Sequence, residues 1–236
     1  MDFNKHKFFM LQILRDVYSD LELANALVFK GGTALMFFYD LPRSSVDLDF
    51  NLIRNSKEKE MEIYHKLRNI LLKYGKIDDE AQKFFGPILV LNYGKGERKL
   101  KVEVSNRQHD SRYDVKSFMG INMLVMTLAD MFSNKLCALL DRNELTNRDI
   151  FDCWFFMENR TPVNINLVEN RMKMPFPNYL QNCIDTIEKF PNKNLLDGLG
   201  DLVNPNLKTF IRNKLRSEIV TLLRFYKEFP IIEGKE

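Results

Sequence analysis

Hydrophobic and polar residues follow two different periods along this chain. Near the N-terminus, apolar side chains recur at positions 10, 13, 14, 17 and 18, which is the spacing of one helix face. The segments 33–39 and 57–74 also have a helical pattern. Between them are shorter apolar or alternating runs that predict β-strands. These runs are 26–30, 45–53, 87–93 and 99–105.

After Gly120 the pattern becomes helical, and the segments 123–140, 147–157 and 207–225 are predicted to be helices. Strands followed by a run of helices indicate an α+β fold. We expect a mixed sheet with helices in residues 1–115 and a mainly helical second domain in residues 116–236.

Composition limits the classes of protein that this chain can belong to. The 236 residues are 45% hydrophobic, enough for a sizeable core, and the net charge of +3 permits a polyanionic partner. No signal-peptide pattern opens the chain, and no apolar run reaches the roughly 18 residues of a membrane helix. The three cysteines are not spaced as metal ligands, so we expect reduced, buried thiols. A cytoplasmic protein without membrane attachment is expected.

The alternating segment 45–53 carries two aspartates. Alternation places Asp47 and Asp49 on one face of a strand, with apolar residues on the other. Two carboxylates held that close repel each other, and a divalent cation such as Mg²⁺ relieves the repulsion. If the strand 99–105 lies beside this one, Glu103 joins the pair as a third acid, and three acids can hold two metal ions. Taken alone, two such aspartates more often form the solvated face of an edge strand.

Two glycines precede the aspartates at the end of an apolar run. Gly31 and Gly32 would let the backbone approach a ligand, and the helix that follows offers free N–H groups to a phosphate. Several neighbouring side chains could add hydrogen bonds or positive charge: Lys30, Thr33, Arg43, Ser44 and Ser45. The strand, the glycines, the short helix and the acids together are far more specific than any one of them.

These motifs resemble the nucleotidyltransferase fold of the DNA polymerase β superfamily. More narrowly, KGGTAL followed by RSSVDLDF is similar to the AbiEii/AbiGii family of nucleotidyltransferase toxins. Two later elements also resemble that family, namely KLCALLDR from Lys135 to Arg142 and RDIFD from Arg148 to Asp152. The match covers about residues 25 to 155.

The resemblance implies a nucleotidyltransferase that uses a nucleoside triphosphate and Mg²⁺ or Mn²⁺. Asp47 and Asp49 would be catalytic metal ligands, with Glu103 as a third ligand although many relatives carry aspartate there. Lys135 would contact the triphosphate, Arg142 would add a second cation, and Asp149 would position substrate or act as a base. An alternative is a salt-bridge network between helices that involves Arg142, Arg148, Asp149 and Asp152.

The resemblance also implies a biological setting. The protein would be the toxin of a toxin–antitoxin or abortive-infection system, with a separately encoded antitoxin, often a winged-helix regulator. The acceptor would be RNA, with tRNA the first choice. A protein or an aminoglycoside-like small molecule as acceptor stays open, as does a non-catalytic nucleotide-binding module. The basic C-terminal helix fits either RNA binding or an ordinary solvated face.

Overall fold

The computed structural model describes residues 2–53, 56–107, 110–142, 144–191 and 194–233, and a seven-stranded mixed sheet fills its N-terminal half. The strand order is β3-β4-β5-β2-β1-β7-β6. Two neighbouring pairs are parallel, β2 with β5 and β1 with β7, and the other pairs are antiparallel. The strands are β1 (Leu27–Lys30), β2 (Asp47–Leu52), β3 (Lys76–Lys83), β4 (Gly86–Asn92), β5 (Leu100–Ser105), β6 (Tyr113–Phe118) and β7 (Ile121–Met126).

Four helices accompany the sheet: α1 (Phe3–Ser19), α2 (Leu21–Ala26), α3 (Gly31–Phe38) and α4 (Lys57–Leu72). The predicted apolar stripe of α1 is buried except for Tyr18, which is half-buried. Asp2 caps this helix, and its carboxylate accepts a hydrogen bond from the backbone N–H of Lys5. The short α3 follows β1 without a loop and packs against β1 and β2. The chain therefore turns at the glycines immediately beside the aspartate strand.

Three strands differ from the sequence prediction. The strand β3, with the sequence KIDDEAQK, is too polar to be recognised by its pattern, and its backbone hydrogen bonds to β4 hold it at the sheet edge. The strands β6 and β7 form a hairpin closed by Met119 and Gly120, both with positive φ. The prediction of helix from residue 123 was therefore wrong, since the helix begins at Leu128 after Thr127 caps it.

Six helices form the rest of the described chain: α5 (Leu128–Asp141), α6 (Asn147–Glu158), α7 (Ile165–Met172), α8 (Phe176–Lys189), α9 (Pro205–Asn213) and α10 (Leu215–Glu228). The predicted single helix 207–225 is instead two helices, because the backbone leaves the helical conformation at Lys214. Aromatic rings fill the core, with Phe132 stacked on Phe156 at a centroid distance of 5.1 Å. The three cysteines are buried and unpaired, as expected.

The chain divides into two compact units. We call Met1–Gln108 with Tyr113–Met126 the sheet unit, and His109–Arg112 with Thr127–Glu236 the helical unit. The expected boundary after residue 115 falls inside β6, whereas the units divide after β7, because the β6–β7 hairpin belongs to the sheet. Within the described residues, no helix is long and apolar enough to cross a membrane.

Candidate active site

Asp47 and Asp49 lie at the start of β2. The side chains of Leu48 and Phe50 are fully buried on one face of the sheet, and the two aspartates are half-buried on the other. The alternation thus places both carboxylates on one face, one pleat apart. This arrangement confirms the sequence-based expectation for this strand.

The strand that carries Glu103 is the parallel neighbour of β2. Glu103 stands opposite Asp49 in the register, and Lys101 stands opposite Asp47. On the other side of β2, Lys30 at the end of β1 stands opposite Asp49. Three acids and two lysines are therefore brought to one region of the sheet. The proximity of Glu103 to the aspartates follows the prediction.

Lys101 occupies a position that the motif analysis had not singled out. Its Nζ lies 3.0 Å from Oε2 of Glu103, and both side chains are partly exposed. The alternation of β5 already placed Lys101 on the same face as the acids, so the signal was present in the sequence. In this structure Glu103 is ion-paired with a lysine on its own strand.

Burial and charge act differently on the acids. Burial raises the pKa of Asp49, and the charge of Asp47 raises it further, against the opposing effect of Lys101 and Lys30. Burial also acts to raise the pKa of Glu103, but the charge and the hydrogen bond of Lys101 outweigh it and hold that pKa below its usual value. The ionised form is thus disfavoured at Asp49 and favoured at Glu103.

A divalent cation such as Mg²⁺ requires oxygen ligands, and the acids of β2 and β5 are the candidates here. Within the described residues, no group of three or more acidic, histidine or cysteine side chains is arranged to hold a metal ion. Asp47 and Asp49 nevertheless supply two oxygen-bearing side chains side by side, the number that Mg²⁺ commonly takes from a protein. The residues present fit a cation at this pair, while Glu103 is engaged by Lys101.

Gly31 lies against the carboxylate of Asp49. Its φ of +79° is in the left-handed region, and a Cβ built on it would stand 2.5 Å from Oδ2 of Asp49. A larger residue would therefore be strained and would displace the acid. The first turn of α3 is held next to Asp49 because this position is glycine.

Two side chains from the segment before β2 lie against Gly32. A Cβ at Gly32 would meet Oγ of Ser45 at 2.7 Å and Nη2 of Arg43 at 2.9 Å. Arg43 is buried, and its Nη1 donates a hydrogen bond to the carbonyl of Ser44 at 3.0 Å. Arg43 and Ser45, two of the residues predicted to bind phosphate, thus lie beside the N-terminus of α3 and bring a positive charge to it.

Thr33 contributes differently from its neighbours. Its side chain is fully buried, and its hydroxyl donates a hydrogen bond to the backbone carbonyl of Asp47. The hydroxyl therefore fixes the start of β2 relative to α3. This contact gives Thr33 a role in positioning Asp47, whatever further contact it makes.

His6 is a second residue that sequence analysis missed. It is fully buried, with Nε2 2.9 Å from the carbonyl of Val46 and Nδ1 2.6 Å from the hydroxyl of Tyr93. A carbonyl only accepts, so Nε2 carries the proton and the tyrosine hydroxyl donates to Nδ1. Burial lowers the pKa of His6, which favours this neutral form. The ring thereby ties α1 to the residue that precedes Asp47.

The helical unit contains a separate cluster of charges on α5 and α6. Nζ of Lys135 lies 3.1 Å from Oδ1 of Asp149 and 2.8 Å from Oδ2 of Asp152. Both aspartates are buried, and 18% of the lysine side chain is exposed. The hydroxyl of Thr146, which caps α6, also donates to Asp149 at 2.8 Å. The cluster is hydrogen-bonded as well as charge-paired.

Arg142 completes this cluster. Its Nε lies 3.1 Å from Oδ2 of Asp149, and about half of its side chain is exposed. The salt-bridge alternative from the sequence therefore holds for Arg142 with Asp149. Asp152 pairs with Lys135 instead, and among the described residues Arg148 forms no ion pair with either aspartate, so its predicted place in the network was wrong.

The sequence matches the profile of the nucleotidyl transferase AbiEii toxin of type IV toxin–antitoxin systems over residues 12–217. The chain belongs to the AbiEii nucleotidyltransferase toxin family. The match includes both the aspartate strand and the Lys135 cluster. No curated protein matches the chain significantly.

Solved structures agree with the family in fold. JHP933 from Helicobacter pylori is 21% identical, with a TM-score of 0.61 over 96% of this chain and 92% of its own. The nucleotidyltransferase toxin MenT4 from Mycobacterium tuberculosis is 18% identical, with a TM-score of 0.63 over 94% of this chain and 84% of its own. At such identities the likeness establishes the α+β fold.

Membership in the AbiEii family assigns an activity class. The protein is a nucleotidyltransferase and the toxin of a type IV toxin–antitoxin system, which implies a separate antitoxin. Enzymes of this class generally use a nucleoside triphosphate and a divalent metal ion. The sequence-based prediction of family, fold and enzyme class is confirmed.

Proposed function

We propose that this AbiEii enzyme transfers a nucleoside monophosphate from a nucleoside triphosphate to an RNA acceptor, with tRNA as the first candidate. The observation that carries the proposal is the pair Asp47 and Asp49, with Glu103 in register beside it and the N-terminus of α3 against it. An acceptor hydroxyl would attack the α-phosphorus, the bond to the bridging oxygen would break, and pyrophosphate would leave.

Asp47 and Asp49 would hold the metal ion, Mg²⁺ or Mn²⁺, and Glu103 would join them once Lys101 releases it. When bound, the metal neutralises charge on the phosphate oxygens and lowers the barrier to displacement. The repulsion between the two aspartates and the desolvation of Asp49 support this assignment, because both effects favour binding of a cation. Thr33 and His6 would keep Asp47 in place through backbone carbonyls.

The triphosphate would lie at the N-terminus of α3. Gly31 and Gly32 carry no side chain of their own that would cover the backbone N–H groups, and the helix dipole favours an anion there. Arg43 and Ser45 lie against Gly32, and Lys30 precedes it. These side chains would neutralise and orient the phosphates.

The helical unit would contribute Lys135, Arg142 and Asp149. The family resemblance supports a role for Lys135 in contacting the triphosphate and for Asp149 in positioning substrate or accepting a proton. Arg142, seven residues after Lys135, would add a second cation. We infer that the ion pairs around Asp149 keep Lys135 extended in one conformation before substrate arrives. The same contacts would stabilise the fold.

The biological side of the proposal follows the family. The enzyme would act in the cytoplasm, where nucleoside triphosphates and tRNA are available, and its antitoxin would be a separately encoded winged-helix regulator. Co-expression of a neighbouring winged-helix protein should relieve growth arrest caused by the wild-type enzyme. Persistent arrest with a folded, expressed regulator would count against that choice of antitoxin.

The test is transfer of α-³²P label from each of the four nucleoside triphosphates, with Mg²⁺, to total bacterial tRNA and to total protein. Label should appear on RNA with the wild type and be absent with Asp49→Ala. Asp114→Ala serves as a control, because it removes an exposed aspartate from β6 of the same sheet. Its activity should equal that of the wild type.

The remaining alternatives give different labelling patterns. Label on protein alone would keep the chemistry and transfer the acceptor role to a protein. In an additional reaction with an aminoglycoside as the only acceptor, label on the aminoglycoside would favour the small-molecule acceptor. Nucleotide binding by folded enzyme without label in any lane would support a non-catalytic module and contradict the assignment of Asp47 and Asp49.

A further inference from the structure

The tip of the β3–β4 hairpin exposes two aromatic rings. Phe84 is 88% exposed and Phe85 is 47% exposed, and their ring centroids are 4.9 Å apart in an edge-to-face arrangement. A hairpin of this kind is usually closed by polar turn residues. Two adjacent phenylalanines at the tip cost solubility without contributing to the core, so their presence indicates a binding role.

The tip is held in a fixed position relative to β5. Gly86 has a φ of +112°, and a Cβ there would lie 2.1 Å from the carbonyl oxygen of Val104, so the two strands approach closely at this point. The backbone N–H of Asn106 donates to the carbonyl of Phe85 at 3.0 Å, and its side-chain amide donates to the carbonyl of Phe84 at 3.2 Å. The aromatic tip is therefore anchored at the end of the strand that carries Glu103.

Positive charge accompanies these rings. The guanidinium of Arg107 lies 3.7 Å from the centroid of the Phe85 ring, a stacked cation–π contact. Lys83 precedes Phe84 and stands opposite Gly86 in the hairpin register. A flat aromatic surface beside two cations suits an unpaired nucleotide, because the base stacks on the ring while the phosphate meets the cation.

The tip also lies at a useful distance from the acids. Ile88 stands opposite Glu103, and Phe85 precedes Ile88 by three residues. At about 3.3 Å per strand residue, the tip is roughly 10 Å along the strand from Glu103. Stacked nucleotides rise about 3.4 Å each, so this separation corresponds to about three nucleotides.

We propose that the Phe84–Phe85 tip with Arg107 binds an unpaired base of the acceptor RNA a few nucleotides from the reacting hydroxyl. This inference rests on the proposed RNA acceptor and specifies where the acceptor strand binds. Phe84 supplies the stacking surface, and Arg107 pairs with a backbone phosphate. Recognition is independent of base identity, because every base has an aromatic face.

Binding of a 5′-fluorescein-labelled, mixed-sequence octaribonucleotide, followed by anisotropy without nucleoside triphosphate, tests the site. Phe84→Ala should weaken binding at least about five-fold, the lower end for loss of one stacked base. Phe84→Trp should restore it, because indole stacks as well as phenyl. Phe8→Ala is the control, since Phe8 is another exposed phenylalanine of the same unit, on α1, with 54% of the residue exposed, and its removal should leave binding unchanged.

The salt dependence of RNA affinity separates the phosphate contact of Arg107 from the base stacking of Phe84. Arg107→Gln should lower the slope of log K against log salt by about one, whereas Phe84→Ala should leave the slope unchanged. Equal affinities of Phe84→Ala and wild type for the oligonucleotide, with both proteins folded by circular dichroism, would overturn the proposal.

The binding assay tests the RNA-binding site and the labelling assay tests the transfer reaction, so either proposal can fail without the other. Loss of oligonucleotide binding in Phe84→Ala supports the site even if no RNA is labelled, in which case the proposed transfer reaction is what fails. In the labelling assay, Phe84→Ala should raise the KM for the RNA acceptor and leave the KM for the nucleoside triphosphate unchanged. A change confined to the triphosphate KM would contradict an acceptor site.

Discussion

The two carboxylate clusters of this protein differ in how their charges are balanced. In the helical unit, Asp149 and Asp152 face two cations, Lys135 and Arg142, within ion-pair distance. In the sheet unit, three acids face the charges of Lys101 and Lys30, and burial and mutual repulsion raise the pKa of Asp49. The charges of the first cluster cancel, whereas in the second the three acids outnumber Lys101 and Lys30 by one.

This contrast separates an internally satisfied network from a site that favours a ligand. Buried charges are retained when they are paired and hydrogen-bonded, as around Asp149. Carboxylates held together without matching charge lower the stability of the fold, and such strain is typical of functional sites. The same substitution, aspartate to asparagine, should therefore have opposite effects on stability in the two clusters.

The largest effect is expected for Asp152→Asn in the helical unit. Asp152 is fully buried, and its substitution removes one of the two carboxylates that pair with Lys135, whose side chain is only 18% exposed. Breaking a buried ion pair costs about 3 kcal/mol or more, and Asp149 remains as a second partner, so we expect about 3 kcal/mol. Urea unfolding followed by circular dichroism measures the loss.

Asp201→Asn is the control for this experiment, because Asp201 is an exposed aspartate of the same unit. Its effect should stay within about 0.5 kcal/mol. A stability of Asp152→Asn equal to that of the control would show that the cluster does not stabilise the fold, and the contrast between the two units would lose its basis.

The next effect concerns Lys101 as an internal counter-ion. Lys101→Met removes a positive charge from the acid cluster and frees Glu103, so Mn²⁺ should bind the protein roughly ten-fold more tightly, about 1.4 kcal/mol. Calorimetric titration with Mn²⁺ in the absence of nucleotide gives the affinity. Lys99→Met is the control, since Lys99 pairs with Asp78 instead. Unchanged Mn²⁺ affinity in Lys101→Met would exclude competition between lysine and metal.

A smaller gain in stability is expected for Asp49→Asn. Because the pKa of Asp49 is raised in the folded protein, the ionised carboxylate destabilises the folded state at neutral pH. As the pH falls through this folded-state pKa, Asp49 becomes protonated and the free energy of unfolding rises. The neutral amide should stabilise the metal-free protein by about 1 kcal/mol at pH 7, while nucleotidyl transfer is lost. Urea unfolding in EDTA measures the gain. A loss of stability instead would mean that Asp49 is satisfied in the apo protein.

The central part of the site was accessible from the sequence because strand alternation and parallel pairing are simple rules. Alternation placed Asp47 and Asp49 on one face, and the apolar pattern of β5 gave Glu103 the same orientation. Glu103 lies near the aspartates only if β5 is the neighbour of β2, and in the structure these two strands are paired.

Other features depend on tertiary contacts that no local pattern encodes. The polar strand β3 is held in the sheet by its backbone hydrogen bonds to β4. The apolar residues of β7 run directly into those of α5, so the sequence pattern does not show that the helix begins only after Thr127. His6 lies on α1 like any polar residue of an amphipathic helix, and its buried contacts arise from residues 40 and 87 positions away. The hairpin rings at Phe84 and Phe85 look like core residues in the sequence, and their exposure appears only in the fold.

The smallest effect is expected from the pH dependence of His6. Burial lowers its pKa below the usual 6.5, with Arg98 acting in the same direction, against the carbonyl of Val46 and the charges of Asp47 and Glu97. As the pH falls from about 7, the unfolded chain takes up a proton that the folded protein resists, so stability falls.

His6→Gln should lose less stability than wild type between pH 7.5 and pH 5.5, as measured by urea midpoints. Identical pH profiles for His6→Gln and wild type would mean that His6 titrates alike in the folded and unfolded states, and the neutral ring between Val46 and Tyr93 would then not explain the position of Asp47.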